Sequence, residues 1–165
     1  LRLPTERYYE EEGRAELTPR DFGILMHRVF ENAATTDEIY TAIEAMTQDG
    51  VLDEKEAPRL RELVEKALAD PVTAEWFGGR WQVVRNENEI ILPGSGTTRR
   101  PDRVMTDGER AVVVDYKFGD RETARHRKQI REYLRLLRQM GYTRTEGYLW
   151  YVRLGRTERV EEKED

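Results

Sequence analysis

The sequence predicts an α/β fold, a central mixed sheet flanked by helices, with a helical part ahead of it. Three observations predict this. Before residue 77 the apolar residues recur at helical spacing. After Gly78-Gly79 they fall into short β-branched runs, and a long amphipathic stretch separates the last two of these runs. From residue 53 onward the predicted order is α-β-β-β-α-β.

Residues 1–17 are mixed and charged and read as a linker or arm. Thr18-Pro19 is a helix start, with Thr18 as N-cap and proline at the first helical position. Phe22, Leu25, Met26, Val29 and Phe30 give 19–33 an apolar helical face. Thr36-Asp37-Glu38 opens a second helix that Gly50 ends. Asp53 with Glu56 resembles a capping box for a third helix reaching about Ala69, with Pro58 in its first turn. Asp70-Pro71 caps a short helix through Trp76. Trp81-Gln82-Val83-Val84, Glu89-Ile90-Ile91-Leu92 and 100–106 read as strands, with a loop at Pro93-Gly94-Ser95-Gly96. Asp107-Gly108 is a hairpin turn signal. Residues 111–116 are an apolar β-branched run, hence a central strand buried on both faces. Residues 121–140 form a helix with Gly141 as its stop, and 148–152 a last strand. Trp76, Trp81 and Trp150 read as core or core edge. Residues 18–160 are expected to be one domain, with a helical part (18–77), a core (78–160) and a charged tail (161–165).

Composition narrows the function. The 165 residues hold no cysteine, which excludes a disulfide framework, a cysteine-ligated zinc and an iron–sulfur cluster. No long apolar run or signal peptide is present, so a membrane partner is not expected and a reducing cytoplasm is the default compartment. The chain starts at Leu1, so it reads as a piece of a longer protein. Net charge is −5, but residues 98–144 carry 13 Lys/Arg against 7 Asp/Glu, while the rest carries 15 against 26. An acidic part joined to a basic part suggests a local polyanion site.

Asp115 and Lys117 share a strand face at the end of the buried run, where charges need a partner. Pro101-Asp102 lies 13 residues before Asp115, across the Asp107-Gly108 turn. Two carboxylates on adjacent strands suit a hard divalent cation that takes few protein ligands, and a neighbouring lysine suits a phosphate or its attacking water. A third carboxylate could come from Glu87 or Glu89, with Glu87 preferred for its Asn-Glu context. The bare [D/E]-x-K tripeptide is weak, occurring three times where about one is expected by chance. The apolar strand before Asp115 and the basic helix after Lys117 single out this copy. That helix offers Arg125, Arg127 and Lys128 for phosphate contact.

These residues resemble the PD-(D/E)xK nuclease superfamily, with a restriction-endonuclease-like core. The closer resemblance is to RecB/AddA-type nuclease domains at the C-terminal end of UvrD-like helicases. Gly23-Ile24-Leu25-Met26-His27 resembles that family's G-x-x-x-H, Asn86-Glu87 its early glutamate, and Arg100-Pro101-Asp102-Arg103-Val104 its G-x-x-D-R segment. Val113-Val114-Asp115-Tyr116-Lys117 resembles its V-D-Y-K core, and Gln129 with Tyr133 its Q-x-x-x-Y helix. Two departures stand out. No glycine lies just before Pro101-Asp102, and Phe118-Gly119 replaces the common Thr-Gly.

The resemblance implies a DNA exonuclease of double-strand-break processing that uses Mg²⁺, or Mn²⁺ in its place. It places the metal on His27, Asp102, Asp115 and the Tyr116 carbonyl, catalysis on Lys117 with the carboxylates, and DNA or site support on Gln129 and Tyr133. Its implied partners are DNA, a helicase motor in the same polypeptide and a second helicase–nuclease subunit.

Plainer readings stand beside these. A lone helical histidine such as His27 is more often structural than a ligand. Asp115 with Lys117 could be a strand-end ion pair, Asp102 with Arg103 a turn-side salt bridge, and Tyr133 simply core. Two other functional classes remain: a non-catalytic DNA-binding or scaffold module of a helicase, and a structure-specific endonuclease on the same fold. No P-loop, nucleophile elbow or H-E-x-x-H is present.

Overall fold

The computed structural model describes residues 17–86, 101–119 and 124–162, and the backbone of 90–91 and 98–99. Helix α1 spans Pro19–Glu31. Thr18 and Asp21 form a reciprocal capping box at its start, which satisfies two backbone donors that no helical carbonyl can reach. Its apolar face buries Phe22, Leu25, Met26, Val29 and Phe30. Helix α2 (Thr36–Gln48) is capped by Thr35. Helix α4 (Pro71–Trp76) is capped by Asp70.

Helix α3 runs over Ala57–Ala67, so the capping box expected at Asp53 and Glu56 does not form. The Asp53 carboxylate accepts from the Lys55 N–H, and its carbonyl accepts from Glu56 and Ala57. Pro58 has no N–H and is tolerated only in the first turn, so the helix starts just ahead of it.

The strands are β1 (Val83–Asn86), β2 (Ile90–Ile91), β3 (Thr98–Arg99), β4 (Arg103–Asp107), β5 (Arg110–Lys117), β6 (Arg144–Tyr151) and β7 (Arg156–Val160). Helix α5 (Ala124–Gln139) lies between β5 and β6. The main sheet has the order β1-β4-β5-β6-β7, and β2 pairs with β3 separately. Strands β5 and β6 are parallel, while β1, β4 and β7 join antiparallel, so the sheet is mixed as expected.

Several elements differ from expectation: β1 lies two residues later than 81–84, and β6 begins at Arg144, four residues before 148. Strand β4 begins at Arg103, because Pro101 has no amide to give and the Asp102 amide donates to a side chain instead. Strand β7 was not expected. It lies at the sheet edge, with only Val160 fully buried, and a charged edge strand lacks the apolar alternation that would announce it.

Strand β5 is buried from Ala111 to Tyr116. Val112, Val114 and Tyr116 meet the core shared with α1–α4, around Phe30, Trp76, Phe77 and Trp150. Val113 meets the second core, with Ile130, Tyr133, Leu134 and Leu149. Trp81 sits at the core edge under the Arg110 guanidinium. Gly147 marks the closest approach of α5 to the sheet. A Cβ there would fall onto the Ile130 Cγ2 atom and lie 3.2 Å from Leu134. No helix among the described residues is long and apolar enough to cross a membrane.

Candidate active site

The candidate site forms where β4 begins and β5 ends. Asp115 is only 4% exposed. The Asp102 N–H donates to its Oδ1 at 3.1 Å, and Lys117 Nζ lies 4.0 Å from its Oδ2. In return, the Tyr116 N–H donates to Asp102 Oδ2 at 2.7 Å. Each carboxylate is thus held by the other strand's backbone, which fixes both rotamers.

His27 comes to the same point from α1. Its Nε2 lies 3.3 Å from Asp102 Oδ1, and its Nδ1 lies 3.3 Å from Glu31 Oε2 one turn on. The ring sits edge-on to Tyr116 and Phe118. Gly23, one turn before His27, lets this packing happen: a Cβ there would stand 3.1 Å from the Phe118 Cβ. The G-x-x-x-H spacing therefore has a steric reason.

Burial pushes the Asp115 carboxyl up, and the nearby Asp102 charge adds to this. Lys117 and the Asp102 amide pull the other way, and the result is about 6. A buried carboxylate in this state gains most from a cation placed beside it.

The donor chemistry of His27, Asp102 and Asp115 fits a hard divalent ion. The histidine also has the carboxylate on its far nitrogen that orients metal-binding imidazoles. The three are joined pairwise rather than gathered round one centre. Among the described residues, no three His, Cys, Asp or Glu side chains form a ready metal cage. Glu87 and Glu89, the candidate third carboxylates, lie outside the described residues. Tyr116 reaches Asp102 through its amide.

The support residues divide. Gln129 Nε2 donates to the Tyr133 hydroxyl at 3.0 Å, and Tyr133 is fully buried in the second core. Arg127 pairs with Glu158 on β7, which uses its guanidinium inside the protein. Arg125 and Lys128 are exposed.

Arg103 was not singled out from the sequence beyond a pairing with Asp102. The structure sends it the other way. Fully buried, it donates to the carbonyls of Ala33 (2.6 Å), Ala34 (2.8 Å) and Trp76 (2.7 Å) and to Asn86 Oδ1 (3.2 Å). It also lies over the Phe77 ring. One residue after Asp102, it ties the site strand to the helical part. The arginine of the Asp102-Arg103 segment was its signal in the sequence. Glu31, four residues after His27, was visible by helical spacing.

A mixed sheet with two carboxylates and a lysine at adjacent strand ends is the arrangement that defines a class of metal-assisted phosphodiesterases. The family model for the PD-(D/E)XK nuclease superfamily matches residues 1–165, and the chain belongs to that superfamily. A search of the curated proteins finds no match.

Proposed function

We propose that the chain is a Mg²⁺-dependent DNA exonuclease domain working with a helicase motor in break repair. The observation that supports this most is the interlocked Asp102–Asp115 pair, with Lys117 beside it and His27 against it. Asp102 and Asp115 would hold the metal, with His27 at its margin. When bound, the ion supplies charge neutralisation at the scissile phosphate.

The chain's own groups then have separate tasks. The backbone amides of Asp102 and Tyr116 hold the Asp115 and Asp102 carboxylates in place. Lys117 Nζ, held near Asp115, offers a positive charge to the phosphoryl oxygens as negative charge develops on them. Water attacks phosphorus and releases a proton to solvent, the P–O bond to the leaving sugar breaks with its electron pair on oxygen, and that oxygen takes a proton from solvent. The exonuclease and helicase parts of the proposal rest on the ordered motif resemblance.

Linear and covalently closed circular DNA, incubated with Mg²⁺ or with EDTA, provide the test. Loss of the linear form alone, and only with Mg²⁺, is expected. Nicking of the circle would make the chain an endonuclease. No cleavage together with no calorimetric Mg²⁺ or Mn²⁺ binding would make it a non-catalytic module.

A further inference from the structure

Helix α5 covers one face of the sheet, and the site lysine is on that face. Val113, Leu149 and Tyr151 point to α5 and pack with Ile130, Tyr133 and Leu134. Side chains two apart on a strand share a face, so Asp115 and Lys117 point the same way as Val113. The register agrees, since Lys117 pairs with Tyr151. Helix α5 joins two parallel strands, so it runs back against them and its first turn lies at the carboxyl end of β5.

His126 is in that first turn. It precedes Gln129 by three residues and Ile130 by four, which continues the buried stripe of α5 toward the strand end. It belongs to none of the motifs that carry the family resemblance. The ring is half-buried, yet its Nδ1 is fully enclosed and has no hydrogen-bond partner among the described residues. Burial holds the ring below its ordinary pKa, and the charges of Lys117, Arg125 and Arg127 add to this. The imidazole is therefore neutral at pH 7. A buried N–H with no acceptor carries the full desolvation penalty. The ring proton thus belongs on Nε2, and Nδ1 is left as an acceptor.

A matching donor shares this face. Among the described residues, the Lys117 ammonium meets one carboxylate, Asp115 Oδ2 at 4.0 Å, too long for a hydrogen bond. An ammonium has three donors. When the Asp115 charge is neutralised, that attraction goes and the enclosed His126 Nδ1 remains. A neutral acceptor suits this task better than another carboxylate. It orients the ammonium without cancelling the charge that the phosphate needs.

We propose that His126 is a positioning residue: its Nδ1 accepts a hydrogen bond from the Lys117 ammonium and holds that charge toward the scissile phosphate. The proposal deepens the nuclease reading and rests on it, but part of its test needs no cleavage.

The ring is read by long-range ¹⁵N–¹H spectra of the whole chain in EDTA at pH 7. The chain has two histidines, and His126→Asn identifies the His126 signals. Nε2 should carry the proton in wild type. In the Asp115→Asn chain, which lacks the competing charge, adding Lys117→Met should displace the Nδ1 resonance. A proton on Nδ1, or an Nδ1 resonance indifferent to Lys117→Met, overturns the proposal. Cleavage of end-labelled single-stranded DNA in Mg²⁺ gives the second readout. His126→Leu should lower kcat about tenfold with KM unchanged, since its effect passes through Lys117. His126→Asn, whose side-chain oxygen can take the place of Nδ1, should recover most of that loss. In the Lys117→Ala background, His126→Leu should have no further effect. A full effect there, or an unchanged kcat in His126→Leu, overturns the proposal, and urea midpoints show that each variant folds. If wild type cleaves nothing, the nuclease reading falls, and the ring spectra still decide the Lys117–His126 contact.

Discussion

Asp115 combines two demands that conflict without a cation: it is almost fully buried, and it lies beside a second carboxylate. Its folded-state pKa of about 6 is above its ordinary 3.8. Folding thus favours the protonated form. The stability linked to this group is fully present below about pH 4 and is lost as pH rises through 6. In EDTA, Asp115→Asn should match wild type at pH 4 and exceed it by about 2–3 kcal/mol at pH 7. Asparagine Oδ1 can still accept the Asp102 amide, so the backbone lock survives. Urea titrations of both chains across this range check the prediction, and parallel pH curves would contradict it. Arg103 is the residue-scale counterpart in structure. Arg103→Leu removes four hydrogen bonds and leaves the Ala34 and Trp76 carbonyls and Asn86 Oδ1 without this donor, while Ala33 keeps the Asn86 amide, and should cost about 3 kcal/mol or more. An unchanged urea midpoint would show that the clamp carries no stability.

At the scale of elements, the site depends on how closely the helices approach the strands. Gly147 lets α5 lie against β6, and Gly23 lets α1 carry His27 over Phe118. Gly147→Ala forces a methyl into Ile130 and Leu134, and should destabilise by about 1–3 kcal/mol through displacement of α5. Thermal unfolding reads this directly, and a midpoint equal to wild type would mean that the contact relaxes at no cost.

The element scale also shows what sequence patterns convey. Thr18-Pro19 and Asp70-Pro71 are local signals, and both caps form as expected. The β5 run and its Asp115-Tyr116-Lys117 end were legible because burial leaves an unbroken apolar pattern with charges only at the limit. Strand β7 was not, since an edge strand of Arg156, Thr157, Glu158 and Arg159 resembles a solvated tail. Arg127 was misleading for the same reason, because its partner Glu158 sits on that unseen strand.

Across the whole molecule, one sheet is covered on both faces and its functional end lies at the start of β4 and the end of β5. Away from that end, Arg110 joins Glu146 on β6 to Glu75 on α4. Burial works to raise the Glu146 carboxyl, but the hydrogen bond and charge of Arg110 outweigh it and lower its pKa. That contribution is present above the ordinary glutamate pKa and is lost as pH falls below it. Glu146→Gln should therefore flatten the acid side of the stability curve, which urea midpoints between pH 5 and pH 3 measure. A curve as steep as wild type would contradict this. None of this long-range pairing was visible in the sequence, because it joins residues 35 or more positions apart. The charge asymmetry along the chain was visible, but its location was not. Folding neutralises part of the basic helix and turns two arginines of the acidic N-terminal part toward a groove beside His27.

The most direct measurement is the release of label from end-labelled linear single-stranded DNA in Mg²⁺. Wild type, Asp115→Asn and Lys117→Ala are compared side by side, each shown to be folded. Release by wild type, abolished by EDTA and reduced at least a hundredfold in both variants, is the predicted result. Equal rates in all three chains would contradict the assignment of the chemistry to this strand end.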